Sequence, residues 1–255
     1  MRNLKITIEY DGTNYRGWQI QNSHKSQVTS HNSNKTIQGI LEQALRKILR
    51  EKIRVIGSGR TDSGVHAQNQ VANFKTKTKI GCQEIQRCLN GVLPSDIRVK
   101  GAEEASADFH ARFSARAKLY RYTIVNDSFA SPFLRRYAHL VKSPLDVRKM
   151  QEASRLFLGR RNLRSFQAVD KKMRPAVRAI KRLNVRRVKN LIYIEIEAKG
   201  FLYRMARNIA GTLIEVGRGK LQPQAITSIL AAKNRVFAGP CAPAKGLCLL
   251  KVAYL

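Results

Sequence analysis

Acidic residues are scarce in this 255-residue chain: 17 Asp plus Glu stand against 48 Lys plus Arg, a formal net charge of +31. Such an excess points to a polyanionic partner, nucleic acid first and an anionic membrane surface second. A merely basic protein of ribosomal type carries the same charge, so charge alone decides nothing. Cysteine is also sparse. The four, Cys82, Cys88, Cys241 and Cys248, lack C-x-x-C spacing, which argues against a zinc site. Cys88 falls in a helical pattern and Cys248 in a strand pattern, and both read as small buried hydrophobes in a reducing cytoplasm. No apolar run approaches membrane-spanning length. The opening MRNLKITIEY has no apolar core of a secretory signal, so a cytoplasmic protein is expected. The chain also lacks a strand–G-x-G-x-x-G–helix unit and a cluster of metal ligands, so neither a dinucleotide nor a metal is expected.

What is present suits a globular protein. Hydrophobic residues make up 43% of the chain, enough for a real core, and the length allows one large domain or two ordinary ones. The charge is uneven: residues 1–127 hold 21 basic and 11 acidic side chains, and residues 128–255 hold 27 and 6. The run KKMRPAVRAIKRLNVRRVK (171–189) has nine basic residues and no acid. Several of them alternate with apolar residues, as on a strand with one solvated face. Nine uncompensated charges repel one another, so a phosphate-facing surface is the expectation here.

Periodicity orders the elements. LKITIEY (4–10) alternates as a strand. Residues 21–36 are polar and read as a loop, with His24 and His31 solvated rather than ligating. IQGILEQALRKILR (37–50) puts Ile37, Ile40, Leu41, Ala44, Leu45, Ile48 and Leu49 on one helical stripe. Strands near 53–56 and 68–75, a helix near 83–92 and a strand near 97–103 follow. The second half opens with a strand at 118–125 and a helix over 146–159 that ends at a glycine. A hairpin turning at Lys189-Asn190 comes next, then a helix over 201–217 with Met205, Ile209, Leu213 and Val216 inward. A short helix (224–232) and a strand (246–254) close it. The order β-α-β-β-α-β, nearly repeated, predicts an α+β protein of two ferredoxin-like halves. They would join their antiparallel sheets into one extended sheet, with helices on one face and a cleft between the halves. The boundary falls within 104–115, giving halves of 1–107 and 108–255.

One loop resists a structural reading. GSGRTDSGVHAQ (57–68) looks like a glycine-rich phosphate loop, yet Asp62 in its middle repels phosphate. An aspartate also suits a tight turn, and the loop by itself leaves both readings open.

The blocks around it decide more. GRTDSGVHA (59–67) resembles the catalytic signature of the tRNA pseudouridine synthase A family. YDGTNYRGWQIQ (10–21), TIQG (36–39), FHARFSARAKLYRYTI (109–124), FLYRMARNIAGTLIEVG (201–217) and APAKGLCLLKVAY (242–254) resemble five further blocks in family order. The resemblance implies an enzyme that isomerises uridine to pseudouridine in the anticodon stem-loop of tRNA, at positions 38–40, with no cofactor and no metal. It also implies a homodimer in which one tRNA contacts both subunits. Asp62 would be the essential carboxylate, ionised because a free Asp titrates at about 3.9. Arg207, from the other half, would pair with it. Tyr120 would lay its ring against the target base with its hydroxyl near C5. Arg60 would enter the RNA stack as the nucleotide leaves it. Three first steps stay open for Asp62: attack on the ribose C1′, attack on C6 of the base, or removal of a ribose proton. By periodicity alone Tyr120 also reads as a core strand aromatic and Arg207 as a solvated helix residue, while Asp11 and Trp18 read as structural. Three positions depart from the pattern: the 21–35 loop is long, Arg204 stands where the family often has histidine, and Ala206 stands for valine.

Two readings from other classes compete. A non-catalytic RNA-binding protein on the same fold lacks the aromatic signature of an RRM sheet. A basic structural protein of a ribonucleoprotein leaves the loop unexplained.

Overall fold

The computed structural model describes residues 1–19, 35–169 and 175–254. His24, His31 and most of the polar loop lie outside the described residues, as do Lys171, Lys172 and Arg174 of the basic run. Contacts divide the chain into two compact units, Met1–Arg116 with Leu249–Leu255, and Ala117–Cys248. Both mix helices with mostly antiparallel strands.

The first unit runs β1 (Arg2–Tyr10), α1 (Ile37–Leu49), β2 (Ile56–Gly57), β3 (His66–Thr76), α2 (Cys82–Val92) and β4 (Ile97–Ala105). The strands are antiparallel in the order β4-β1-β3, with β2 on β3. Alternation in β1 sets the two faces: Leu4, Ile6 and Ile8 are fully buried, while Lys5 faces the other way and pairs with Glu103 at 2.7 Å. Thr36 caps α1, its Oγ1 accepting the Gly39 N–H at 3.2 Å. The helix stops at Arg50, whose φ is 54°, a conformation glycine usually takes.

The strand expected near 53–56 is almost absent: only Ile56–Gly57 pairs. Ile53 and Val55 are buried all the same. Val55, however, gives its N–H to Glu42 Oε1 at 3.0 Å and its carbonyl to Gln38 Nε2 at 3.1 Å. Side chains of α1 thus take the backbone groups that a ladder would use. Cys88 and Cys248 are half-buried rather than buried, and the Cys88 thiol donates to Glu84 Oε1 at 3.3 Å.

The second unit runs β5 (Ala117–Asn126), β6 (His139–Val141), α3 (Val147–Arg155), β7 (Gly159–Asn162), β8 (Val177–Val188), β9 (Leu191–Ala198), α4 (Met205–Gly217) and α5 (Ala225–Ala232). The last strand, β10 (Leu247–Ala253), begins in it. The order is β5-β9-β8-β7, antiparallel, with β6 parallel to β5. The β8–β9 hairpin turns where expected, at Lys189-Asn190, with Lys189 at φ 54°.

Three expectations change here. Helix α3 stops at Arg155, and Gly159, at φ 84°, opens the exposed strand β7 instead of ending a helix. Strands β6 and β7 are additions; GRRN has no apolar alternation to announce a strand. The inward stripe of α4 is too narrow a description, because every residue of that helix except Arg207 is buried. Among the described residues, no helix is long and apolar enough to cross a membrane.

Candidate active site

The 57–68 loop leaves β2 and enters β3, and it is clasped from several sides. The Ser58 N–H donates to the Val71 carbonyl at 2.7 Å. Ser58 Oγ donates to Gln70 Oε1 at 2.6 Å, and Gln70 Nε2 donates to the Gly59 carbonyl at 3.0 Å. Thr61 Oγ1 and the Tyr10 hydroxyl share a hydrogen bond of 2.9 Å, and the Thr61 carbonyl accepts the Trp18 N–H at 3.1 Å. The Val65 N–H closes a turn onto the Asp62 carbonyl at 3.1 Å, and Ser63 Oγ reaches the Tyr15 carbonyl at 3.0 Å. Asp62 is half-buried inside this frame, and Arg60 is exposed.

The segment 10–19 is therefore part of the loop's support. A β-carbon on Gly12 would run into the Val65 carbonyl, and one on Gly57 would run into the Trp18 indole. Trp18 is 3% exposed, and Asp11 Oδ1 accepts the Thr13 N–H at 2.9 Å, so both are structural, as expected. The loop's glycines have separate tasks. Gly57 makes room for Trp18, and Gly64, at φ 76°, lets the turn after Asp62 close.

In the second unit Tyr120 lies on β5 opposite Ile196. It is 6% exposed, with Phe201 edge-on at 4.8 Å between ring centroids. Tyr122, fully buried, donates to the Pro243 carbonyl at 2.9 Å. Burial drives its phenol far above the usual range, and the Arg207 charge opposes that shift. Arg207 is half-buried on α4, not a solvated helix residue. Its Nε donates to the Ala242 carbonyl at 2.8 Å, and the Ala242 N–H returns to the Arg207 carbonyl at 3.2 Å. Arg204 caps α4 at φ 57°, with its guanidinium 5.0 Å from the Tyr203 ring centroid. Ala206 is buried inside the same helix. Arg60 and Asp62 thus share a loop of the first unit, and Tyr120 and Arg207 belong to the second.

Among the described residues, Gln167 Oε1 is the buried side-chain acceptor without a hydrogen-bond partner. It lies beside α4: the next residue gives its N–H to the Tyr203 carbonyl at 3.0 Å, and Phe166 accepts Asn208 Nδ2 at 2.8 Å.

The basic run is less uncompensated than its composition suggests. Arg182 sits 3.6 Å from Glu195 and 3.9 Å from Glu197. Arg121 holds Glu195 at 2.7 Å. Arg186 and Arg121 stack on Tyr193, 4.4 and 5.2 Å from its centroid. Arg187 donates to Asn126 Oδ1 at 2.6 Å and to the Leu145 carbonyl at 3.2 Å. Part of this run therefore stitches the sheet together, and among its described residues Lys181 and Lys189 are the exposed lysines.

Sequence reasoning missed the loop's supports. Tyr10, Ser58, His66 and Gln70 are all buried. Gln70 lies in a strand, HAQNQVANFKT, rich in other polar residues, so no local signal singles it out.

The family model described as "tRNA pseudouridine synthase" matches residues 6–114 and 153–255. A protein of Caldicellulosiruptor bescii named tRNA pseudouridine synthase A is 46% identical over 254 residues, covering 100% of both chains. One of Moorella thermoacetica with the same name is 44% identical over 251 residues, 98% of this chain and 99% of that one. The tRNA pseudouridine synthase A 2 of Clostridium perfringens is 43% identical over 254 residues, again 100% of both. Among solved structures, a chain of a Cbf5–Nop10–Gar1 complex matches at TM-score 0.34 and 14% identity, over 96% of this chain and 48% of that one, too slight a likeness to bear on the fold. These matches run end to end and span the block that holds Asp62, and the chain belongs to the tRNA pseudouridine synthase family.

Proposed function

We propose that this protein isomerises uridine to pseudouridine in the anticodon stem-loop of tRNA, at positions 38–40, with Asp62 as the essential carboxylate. The observation that carries the reading is the clasped loop: a family-matched block holds a half-buried aspartate in a frame of hydrogen bonds from Tyr10, Trp18 and Gln70. Pre-set geometry of this kind is what lets a side chain act as reagent rather than as turn former.

In the reaction the N1–C1′ bond breaks, the uracil turns, and a C5–C1′ bond forms. N1 gains a proton and C5 loses one, so atoms balance without a donor or an oxidant. Asp62 serves as nucleophile or base in the first step. Arg207 is the counter-charge that this reading gives the carboxylate. Tyr120 lies against the base with its hydroxyl toward C5, and Arg60 fills the stack that the base leaves. The element order of the first unit supports reading it as ferredoxin-like, β-α-β-β-α-β with strands ordered β4-β1-β3-β2. The second unit follows as a variant carrying extra strands.

We place the enzyme in the cytoplasm as a homodimer with one tRNA across both copies; light scattering of the purified protein tests the dimer. The function itself is tested by incubating the protein with an anticodon stem-loop tRNA, with no metal or cofactor added, and mapping pseudouridine. Product at one or more of positions 38–40 supports the reading, and its absence sinks it.

A further inference from the structure

The loop is clamped on both sides of Arg60, and one clamp is a side chain the chemistry does not use. Gln70 on β3 is fully buried. Its Oε1 accepts from Ser58 Oγ at 2.6 Å, and its Nε2 donates to the Gly59 carbonyl at 3.0 Å. A carboxamide is a neutral side-chain group that accepts at one end and donates at the other. Ser58 is itself fully buried and also meets the Tyr254 phenol, which donates to the Ala111 carbonyl at 2.7 Å. On the far side of Arg60, Thr61 is held by Tyr10 and Trp18. Burying an amide where an apolar residue would fit is costly unless both its ends are used. Here they are used on the loop.

The Gly59 carbonyl and the Arg60 N–H belong to one planar peptide. Fixing that carbonyl therefore fixes the plane from which the Arg60 Cα departs, and with Thr61 held on the other side it narrows the directions in which Arg60 can leave the loop. We propose that Gln70 is a positioning residue for Arg60: it sets the Gly59–Arg60 peptide so that the guanidinium is already aimed at the stack from which the target uridine departs. This rests on the function proposed above. Extrusion costs a few kcal/mol for a paired base and least for a mismatched or unpaired one. A misaimed Arg60 therefore tells on a paired target and hardly at all on an unpaired one.

The test compares single-turnover rates on two anticodon stem-loops that differ only in whether the target uridine is paired or mismatched. Gln70→Glu keeps the acceptor for Ser58 and, ionised, loses the donor to Gly59. Gln70→Met keeps the volume and loses both bonds. Both should lose about 10–100-fold on the paired target, the scale of an ångström-sized misplacement, and far less on the mismatched one. Ser58→Ala, a gentler change, should show the same selectivity in weaker form. In an Arg60→Ala background the selectivity of the Gln70 substitutions should vanish. Equal losses on both substrates would reduce Gln70 to a structural residue and overturn the proposal, as would undiminished rates on the paired one. Should Gln70→Glu and Gln70→Met fail to fold, Ser58→Ala decides by the same comparison. Failure of the unsubstituted protein to form pseudouridine on either substrate would instead refute the functional reading.

Discussion

The Trp18 indole lies against Gly57, across the spot a β-carbon on that glycine would fill. The contact joins the segment after β1 to the first residue of the loop that holds Asp62. Gly57→Ala must push aside a buried ring, so it should lower stability by about 1–3 kcal/mol and slow turnover. Gly12→Ala meets the Val65 carbonyl, which is backbone and cannot swing away, and should cost more. Urea unfolding of both variants beside the parent checks the order.

Tyr120 has two separable parts. Its ring packs on Phe201, and its hydroxyl has the proposed part in the chemistry. Tyr120→Phe keeps the ring contact. It should fold normally, bind tRNA normally and lose about 10²–10⁴-fold in turnover, the range of a general acid–base group. Stopped-time assays on saturating tRNA read the loss directly. Undiminished turnover would make Tyr120 a core aromatic.

His139 gives a pH signature to the second unit. Burial holds it below the ordinary histidine value, and the positive Lys245 and Arg218 push the same way. The unfolded chain, titrating at about 6.5, then binds more protons than the folded one at mildly acid pH. Stability from this residue is present above that value and is lost as pH falls through the folded pKa. Urea midpoints taken between about pH 5 and 7.5 should rise with pH in the parent, and His139→Gln should flatten part of that rise.

The two kinds of basic residue on β8 and its turn should separate in salt titrations of tRNA binding. Removing exposed Lys181 or Lys189 should lower the slope of log affinity against log salt by about 1 each. Arg182, held by Glu195 and Glu197, should change the slope less and stability more. Equal slopes for Arg182→Ala and Lys181→Ala would restore the reading of the run as one uniform phosphate surface.

Arg182 also shows how far the sequence could be read. The sequence places the hairpin turn at Lys189-Asn190, and the register that follows pairs Arg186 with Tyr193, Asn184 with Glu195 and Arg182 with Glu197. The compensation is legible in that register but not in the run itself, because the acids lie a strand away. The failed strand at 53–56 is different. No local pattern announces that Glu42 and Gln38 take the Val55 backbone groups, since such bonds depend on how α1 packs. The period of helix α4 is legible in the sequence, but burial on every side at all positions except Arg207 is a tertiary fact. The motif made Asp62 and Arg60 visible, whereas Gln70, in the middle of β3, gains its meaning only when the loop folds over it.

The central claim is that Asp62 is the reagent and not a turn residue. Asp62→Asn keeps shape and polarity and removes the charge. Its test is pseudouridine mapping of an anticodon stem-loop tRNA after exposure to the Asp62→Asn protein, with tRNA binding measured on the same preparation. The predicted result is no pseudouridine and tRNA still bound; pseudouridine formed at the parent's rate would contradict the account.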